Sequence, residues 1–531
     1  MQNKFDVVVV GSGFGGGTVA LRMAEAGKSV CVLERGRRWR GKNLPQHPAG
    51  PDSKAFPELG DVDFFWGRQL WHPTKQRLGL YDMRQMINLQ TLLAAGVGGG
   101  SLIWSNVVVE APETIFAYNW PKGINLNALR PYYRLADPYL KPTVTPGVPG
   151  TPDLVNGRRV QRAELLRFAS ERVERPWSPV KLAVTFGDEN KPAPNGHGIA
   201  RQLGCNYCGI CPAGCPQNAK NTVDITYIAA AEAKGAEVRT LHLVTFVEPL
   251  DNGTYRVHFR RSQPDGSFAE DGFVDGKQVV LSAGTLGTTE LLLRAKGCGL
   301  LPHLSKALGS RFSVNGNVLS GAFLPRVPGS TIETNSGPAI TSMIDYGNFV
   351  VEDHAGPTWS AGIVGASNLG RMTAFSLAMA GYKASPEEIE KKIQDLLVYV
   401  GVGQDSSSGR LGLNWLGMLA MDWPGSINNE PVVRQLHEAM SALATVLNRT
   451  YIPNILSLFN RPVTYHPLGG CPMADCVDYG VVDARGHVFG YPGLYIADGS
   501  IIPTAIGRNP AYTIAALSER IAQGMLTDDK Q

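Results

Sequence analysis

Four of the eight cysteines in this 531-residue chain crowd into one stretch, Cys205-Asn-Tyr-Cys208-Gly-Ile-Cys211-Pro-Ala-Gly-Cys215-Pro216. The C-x₂-C-x₂-C-x₃-C-P spacing is that of a bacterial ferredoxin, where thiolates on a tight loop converge on one iron–sulfur cluster. Gly209 and Gly214 allow the turns such a loop needs. Structural thiols or disulfides, and a zinc site, are the rival readings of Cys205, Cys208, Cys211 and Cys215. A second reactive candidate is His466, one of ten histidines, in Thr464-Tyr-His466-Pro467-Leu468-Gly469-Gly470-Cys471. An imidazole titrates near working pH and so suits a proton leaving a hydroxyl, and the Pro-Leu-Gly-Gly turn would hold the ring still. Asn509 stands before Pro510, which keeps its backbone extended. Its amide either orients a reacting oxygen or caps the closing helix.

Those side chains need a frame. Residues 5–10 read FDVVVV, a β-branched run suited to a buried parallel strand. Gly11-Ser12-Gly13-Phe14-Gly15-Gly16 follows and fits G-x-G-x-x-G, then a helical pattern, then a second strand ending in Glu34-Arg35. Gly11 permits the tight turn, Gly13 lets backbone approach a pyrophosphate, and Gly16 permits close helix–strand contact. The Glu34 carboxylate is placed to accept from ribose hydroxyls, which disfavours a 2′-phosphate, although Arg35 leaves that option open. The motif alone does not separate FAD from NAD.

A second glycine cluster, Gly96-Val97-Gly98-Gly99-Gly100-Ser101, precedes Leu102, Ile103, Trp104, Ser105 and Asn106. Consecutive amides without Cβ atoms make an anion-binding concavity or admit a flat ring close to the chain. Residues 276–295 read as strand, glycine turn and helix. Residues 491–523 read as a strand ending at Asp498-Gly499, a loop and a closing helix.

Composition excludes several classes. Charged residues make up 18% and apolar residues 43%, too little charge and too much burial potential for a disordered chain. The net charge of +4 is too small and dispersed for nucleic-acid binding. No run approaches the length of a membrane-spanning helix. The first strand begins almost at once, which predicts no secretory leader and a cytoplasmic address. Aromatic residues such as Phe64, Phe65, Trp66 and Trp71 are expected mainly in a core.

Taken together, GSGFGG at 11–16, GVGGGSL at 96–102, TYHPLGGC at 464–471 and GRNPAYTIAALSER at 507–520 resemble the glucose–methanol–choline (GMC) oxidoreductases, cholesterol oxidase-like branch. The resemblance implies a Rossmann-type α/β FAD-binding domain from residues 1–35, 96–110, 201–310 and 456–531. It further implies an interleaved α+β substrate-binding domain from residues 36–95, 111–200 and 311–455, with an antiparallel sheet covering the flavin. FAD would lie along Gly11, Gly13, Phe14, Gly15, Gly16, Glu34 and Arg35. Its ring would reach between the loop of Gly98, Gly99, Gly100, Ser101 and Asn106 and the C-terminal segment that holds Pro510, while Asp498 and Gly499 would sit beside the ribityl and pyrophosphate portion. Relatives often carry Asn where this chain has Trp104, so the amide facing the flavin is Asn106 or is replaced by that indole. His466 and Asn509 fall where the family keeps its catalytic pair, and Glu352 or Asp353 is a candidate for an added carboxylate.

The expected activity is FAD-dependent oxidation of a bulky, mainly apolar alcohol, sterol-like or long-chain. His466 would take the proton, flavin N5 the hydride, and O₂ or another acceptor the electrons. The alternative is a sugar or alcohol dehydrogenase passing electrons through a cluster at Cys205–Cys215.

Overall fold

The structure, a computed structural model, describes residues 3–41, 53–57, 65–69, 72–86, 89–151, 157–198, 201–323, 334, 336–355, 396–453 and 463–528. Phe64 and Trp71 lie outside the described residues. The valine run forms the strand Lys4–Val10, whose last four residues are buried on both faces. It pairs in parallel with Val30–Leu33 on one side and with Phe268–Leu281 on the other. Glu237–Arg239 and Leu494–Ile496 extend the parallel set, and the antiparallel strands Tyr255–Ser262 and His242–Pro249 complete a seven-stranded sheet. Helix Phe14–Glu25 packs against it beside the closing helix Ala511–Asp528, and both bury apolar faces in one core.

A second sheet accompanies this one, as the family resemblance implies. Its six strands are all antiparallel, in the order Trp177–Pro179, Ser342–Asp345, Phe349–His354, Leu397–Gly403, Val318–Phe323, Thr450–Pro453. Strand alternation divides its work. Phe349, Val351 and Tyr399 share a core with Leu166 and Ala169 of helix Gln161–Arg172 and with Leu436 and Met440 of helix Pro431–Val446. Val350 and Val400 pack instead toward Tyr465, so Glu352, of the same parity, stands on that face between Val350 and His354. Among the described residues no helix is long and apolar enough to cross a membrane.

Candidate functional site

A cavity of about 1010 Å³ lies between the sheets, lined by Gly11, Gly13 and Glu34 at one end and by His466 and Asn509 at the other. At the first end backbone does the shaping. Gly11 has φ +94°, and a Cβ there would stand 2.3 Å from the Ser282 carbonyl oxygen. Gly99, at φ +53°, approaches so closely that its Cβ would lie 2.8 Å from Gly13 Cα. No side chain caps helix Phe14–Glu25 at Gly13, so the positive end of that helix meets the cavity undisguised.

Glu34 is held rather than loose. Its Oε2 accepts from Ser12 Oγ at 2.6 Å and its Oε1 from the Gly36 amide at 2.9 Å. Ser12 Oγ in turn accepts from the Gly98 amide at 3.1 Å, so one hydroxyl joins the two glycine turns.

Phe14, Gly15, Gly100, Arg35, Asn106, Asp498, Gly499 and Pro510 also line the cavity, while Gly16, Gly98 and Ser101 stand behind it. A Cβ on Gly16 would meet Gly11 O at 2.0 Å. Ser101 Oγ closes its own turn by donating to Gly98 O at 2.7 Å and accepting from Val223 N at 2.9 Å. The Arg35 guanidinium is already engaged, ion-paired with Asp82 at 2.7 Å and stacked 4.3 Å over Trp66. Asp498 is likewise filled: Ser500 Oγ and the Ser500 amide reach one oxygen, Thr288 Oγ1 and the Gly284 amide the other. Burial still raises its pKa, and its structural effect is to tie the start of helix Gly284–Gly297 to the Gly499 turn.

The reacting end is assembled from buried polar side chains. Asn317 Oδ1 accepts from the backbone amides of Tyr465 at 3.2 Å and His466 at 3.1 Å. That fixes the orientation of its amide and aims Nδ2 at His466 Nδ1, 3.0 Å away. Nδ1 therefore accepts, and the neutral ring carries its proton on Nε2. Burial pushes the His466 pKa down to about 3, so the ring is neutral across the physiological range.

Asn315, two residues earlier, accepts from the amides of Ile506 and Gly507 at 3.0 and 2.9 Å and donates to Arg508 O at 2.8 Å. Loop 313–317 thus grips the segments before both His466 and Asn509. Asp405 holds it from beneath, accepting from Ser313 Oγ, Val314 N and Gly316 N, and burial lifts its pKa to about 6.

Glu352 is fully buried, with Oε2 3.5 Å from Asn509 Nδ2. Its Oε1 and Asn509 Oδ1 are buried without a protein partner. Burial pushes the Glu352 pKa up to about 8, against the hydrogen bond from Asn509. Of the two candidate carboxylates only this one meets the site. Asp353 has opposite parity on its strand and is consumed by Thr341, Ser342 and Arg162. His354 also lines the cavity, donating from Nδ1 to Ala355 O at 2.8 Å, with Nε2 3.4 Å from Ser105 Oγ. Asn315, Asn317, Asp405 and His354 were not legible as site residues in the sequence. Asn315-Gly316-Asn317 reads there as no more than a polar turn.

The GMC oxidoreductase family matches this chain over residues 5–314 with its N-terminal part and over residues 426–518 with its C-terminal part. The chain belongs to the GMC oxidoreductases. Among its relatives, a cholesterol oxidase of Mycobacterium tuberculosis is 30% identical, covering 98% of this chain and 91% of that one. A cholesterol oxidase of Acinetobacter baumannii is 29% identical over 97% and 93% of the two chains. A long-chain-alcohol oxidase of Arabidopsis thaliana is 23% identical over 99% and 68%. In fold, this GMC oxidoreductase resembles pyridoxine 4-oxidase from Mesorbium loti, with a TM-score of 0.61 at 15% identity over 98% and 99% of the chains.

FAD is the cofactor of the GMC oxidoreductases, and the cavity of this one fits it. The glycine turns leave backbone exposed where a Cβ would intrude. Asn106, at φ +69°, lines the cavity with both Oδ1 and Nδ2 buried and unpartnered, so its amide is free to meet a polar ring edge. Trp104 packs edge-on to Phe14 at 4.7 Å and also lines the cavity, with its Nε1 unpartnered.

The cysteine loop of this GMC oxidoreductase stands apart from that cavity. Cys205, Cys208, Cys211 and Cys215 are unpaired and line a small cavity of their own with Lys220 and Pro338. Among the described residues no three His, Cys, Asp or Glu side chains are grouped to hold a single metal ion.

Proposed function

We propose that this enzyme oxidises the hydroxyl of a bulky, mainly apolar alcohol, sterol-like or long-chain, and passes the electrons to O₂. The observation that carries the reading is that His466 and Asn509, the latter backed by Glu352, line a cavity otherwise walled by side chains such as Ile103, Val107, Ile340 and Val400. A polar hydroxyl would be met by these polar side chains and a large hydrocarbon body by the walls.

The hydrogen bonding supports a different division of labour from the one expected for His466. With Nδ1 accepting from Asn317, the neutral ring offers Nε2–H, and so donates to the substrate oxygen instead of taking its proton. Asn509, which lines the same cavity with its Oδ1 unpartnered, orients the carbon that loses hydride. Glu352, whose Oε1 has no protein partner, is the acceptor for the hydroxyl proton. Its pKa near 8 is matched to that transfer, as general-base catalysis favours. The sheets exclude water around it, which strengthens each of these contacts. When bound, FAD supplies the hydride acceptor.

The test is anaerobic mixing of the flavin-loaded enzyme with sterols, long-chain alcohols and sugars, followed by flavin absorbance. Bleaching by sterols or long-chain alcohols, with re-oxidation on admitting air, is expected. Bleaching by sugars alone would overturn the assignment.

A further inference from the structure

The cysteine loop is the motif that alcohol oxidation leaves unused, and its surroundings are specialised. Lys220 is 1% exposed, yet among the described residues its ammonium donates only to two carbonyls, Leu102 O at 2.9 Å and Cys211 O at 2.8 Å. A buried cation without a contacting carboxylate is costly unless an anion lies close by. Arg162, also 1% exposed, lies close enough to Cys205 and Cys211 to feel their charge. It pairs with Asp353 at 2.7 Å and donates to the carbonyls of Ser336 and Pro338, and Pro338 itself lines the cysteine cavity. Two backbone amides are already aimed at sulfur, Ala219 N to Cys215 Sγ at 3.2 Å and Ala339 N to Cys211 Sγ at 3.4 Å.

We propose that Cys205, Cys208, Cys211 and Cys215 hold an iron–sulfur cluster whose negative charge is met by Lys220 and Arg162. With neutral thiols the only nearby negative group acting on Lys220 among the described residues is Asp224, which makes no contact with it, whereas thiolates on a cluster add charge at Cys211 and Cys215. Hydrogen bonds from amides to the sulfurs and nearby cations are the means by which a protein tunes such a cluster. A cluster also spreads its ligands over several metal and sulfide atoms. Four thiols line one cavity here, the number a cubane cluster takes. Lys220 further places the site, because Leu102 ends the glycine turn at the main cavity. The cluster would sit behind the turn that faces the flavin.

The experiment is metal and acid-labile sulfide analysis of the full-length enzyme purified without oxygen from iron-replete cells, with low-temperature EPR before and after dithionite. About four acid-labile sulfides per chain with about four irons, or about three for a cluster that has lost one, and an EPR signal distinct from a flavin radical are expected. Cys211→Ser and Cys215→Ser should lose the iron and keep the flavin, while Cys298→Ser, at an exposed thiol, should lose none. Lys220→Met, which leaves every cysteine in place, should lower the midpoint potential of the EPR signal. Stoichiometric zinc overturns the proposal. So does wild-type protein that lacks iron and sulfide and takes up neither on incubation with ferrous iron and sulfide. None of these readouts depends on the alcohol used, so a failure here is separate from a failure of the substrate assignment.

Discussion

The two ends of the main cavity are built by opposite means. At the nucleotide end the protein removes side chains: glycines let the 11–16 and 96–101 turns come within a Cβ of each other and of the space between them. At the reacting end it adds them, and burying Asn317, Glu352 and Asn509 around the half-buried His466 requires that each be partnered by the others or by what binds there. The first end fails by steric intrusion and the second by lost orientation or a misplaced proton. Substitutions at the two ends should therefore differ in kind as well as in size.

The largest effect should come from Gly15→Val. A Cβ there would lie 1.5 Å from the Ala497 carbonyl oxygen, so the helix and the residue that follows strand Leu494–Ile496 cannot keep their places. Loss of bound flavin and of folded yield is expected, read from the flavin-to-protein ratio and thermal unfolding. A variant with normal flavin content would erase the contrast.

Glu352→Gln should do the reverse, keeping flavin while slowing its reduction by alcohol about 10²–10⁴-fold, the usual worth of a general base. The sign of its pH dependence follows from the raised pKa. The carboxyl is protonated below about 8 and accepts a proton only above it, so the wild-type reduction rate should climb as pH rises through 8. His466, with its pKa near 3, adds no limb in that range. Stopped-flow profiles should show the climb in the wild type and a flat line in the variant.

Asn317→Asp tests orientation without removing a catalytic group. A carboxylate facing Nδ1 accepts from it, which moves the ring proton away from Nε2. Flavin reduction should slow about 10–10²-fold, the range typical of partners that orient a reactive imidazole, with flavin content unchanged. An unaltered rate would show that the tautomer does not matter.

The smallest functional effect is expected for Arg35→Ala at the nucleotide end. Its guanidinium is spent on Asp82 and Trp66, so flavin content should hold while stability drops by about 1–2 kcal/mol, measured by urea unfolding. A variant that loses flavin without losing stability would return Arg35 to the cofactor.

This contrast also explains what the sequence revealed. Gly11, Gly13 and Glu34 announce themselves because backbone geometry is local: the turn, the helix start and the strand-end acid all fall within 24 residues of one another. The covering antiparallel sheet was legible only through resemblance, since its strands come from positions as far apart as Trp177 and Pro453. His466 and Asn509 could be named because proline and glycine neighbours mark their turns. Their supports could not. Asn317 reaches His466 across 149 positions and Asn315 reaches Ile506 across 191, and no local pattern encodes such a contact. Glu352 and Asp353 were indistinguishable side by side until strand parity sent one to Asn509 and the other to Arg162.

Loop 313–317 works as a jig. Neither His466 nor Asn509 measures its distance from the other directly; both are clamped, through Asn317 and Asn315, to the same five residues. An error in either long connecting segment is thereby cancelled at the jig rather than passed on to the chemistry. The walls that choose the alcohol are free to drift in shape while the spacing of the working parts is kept to the tolerance of a few hydrogen bonds.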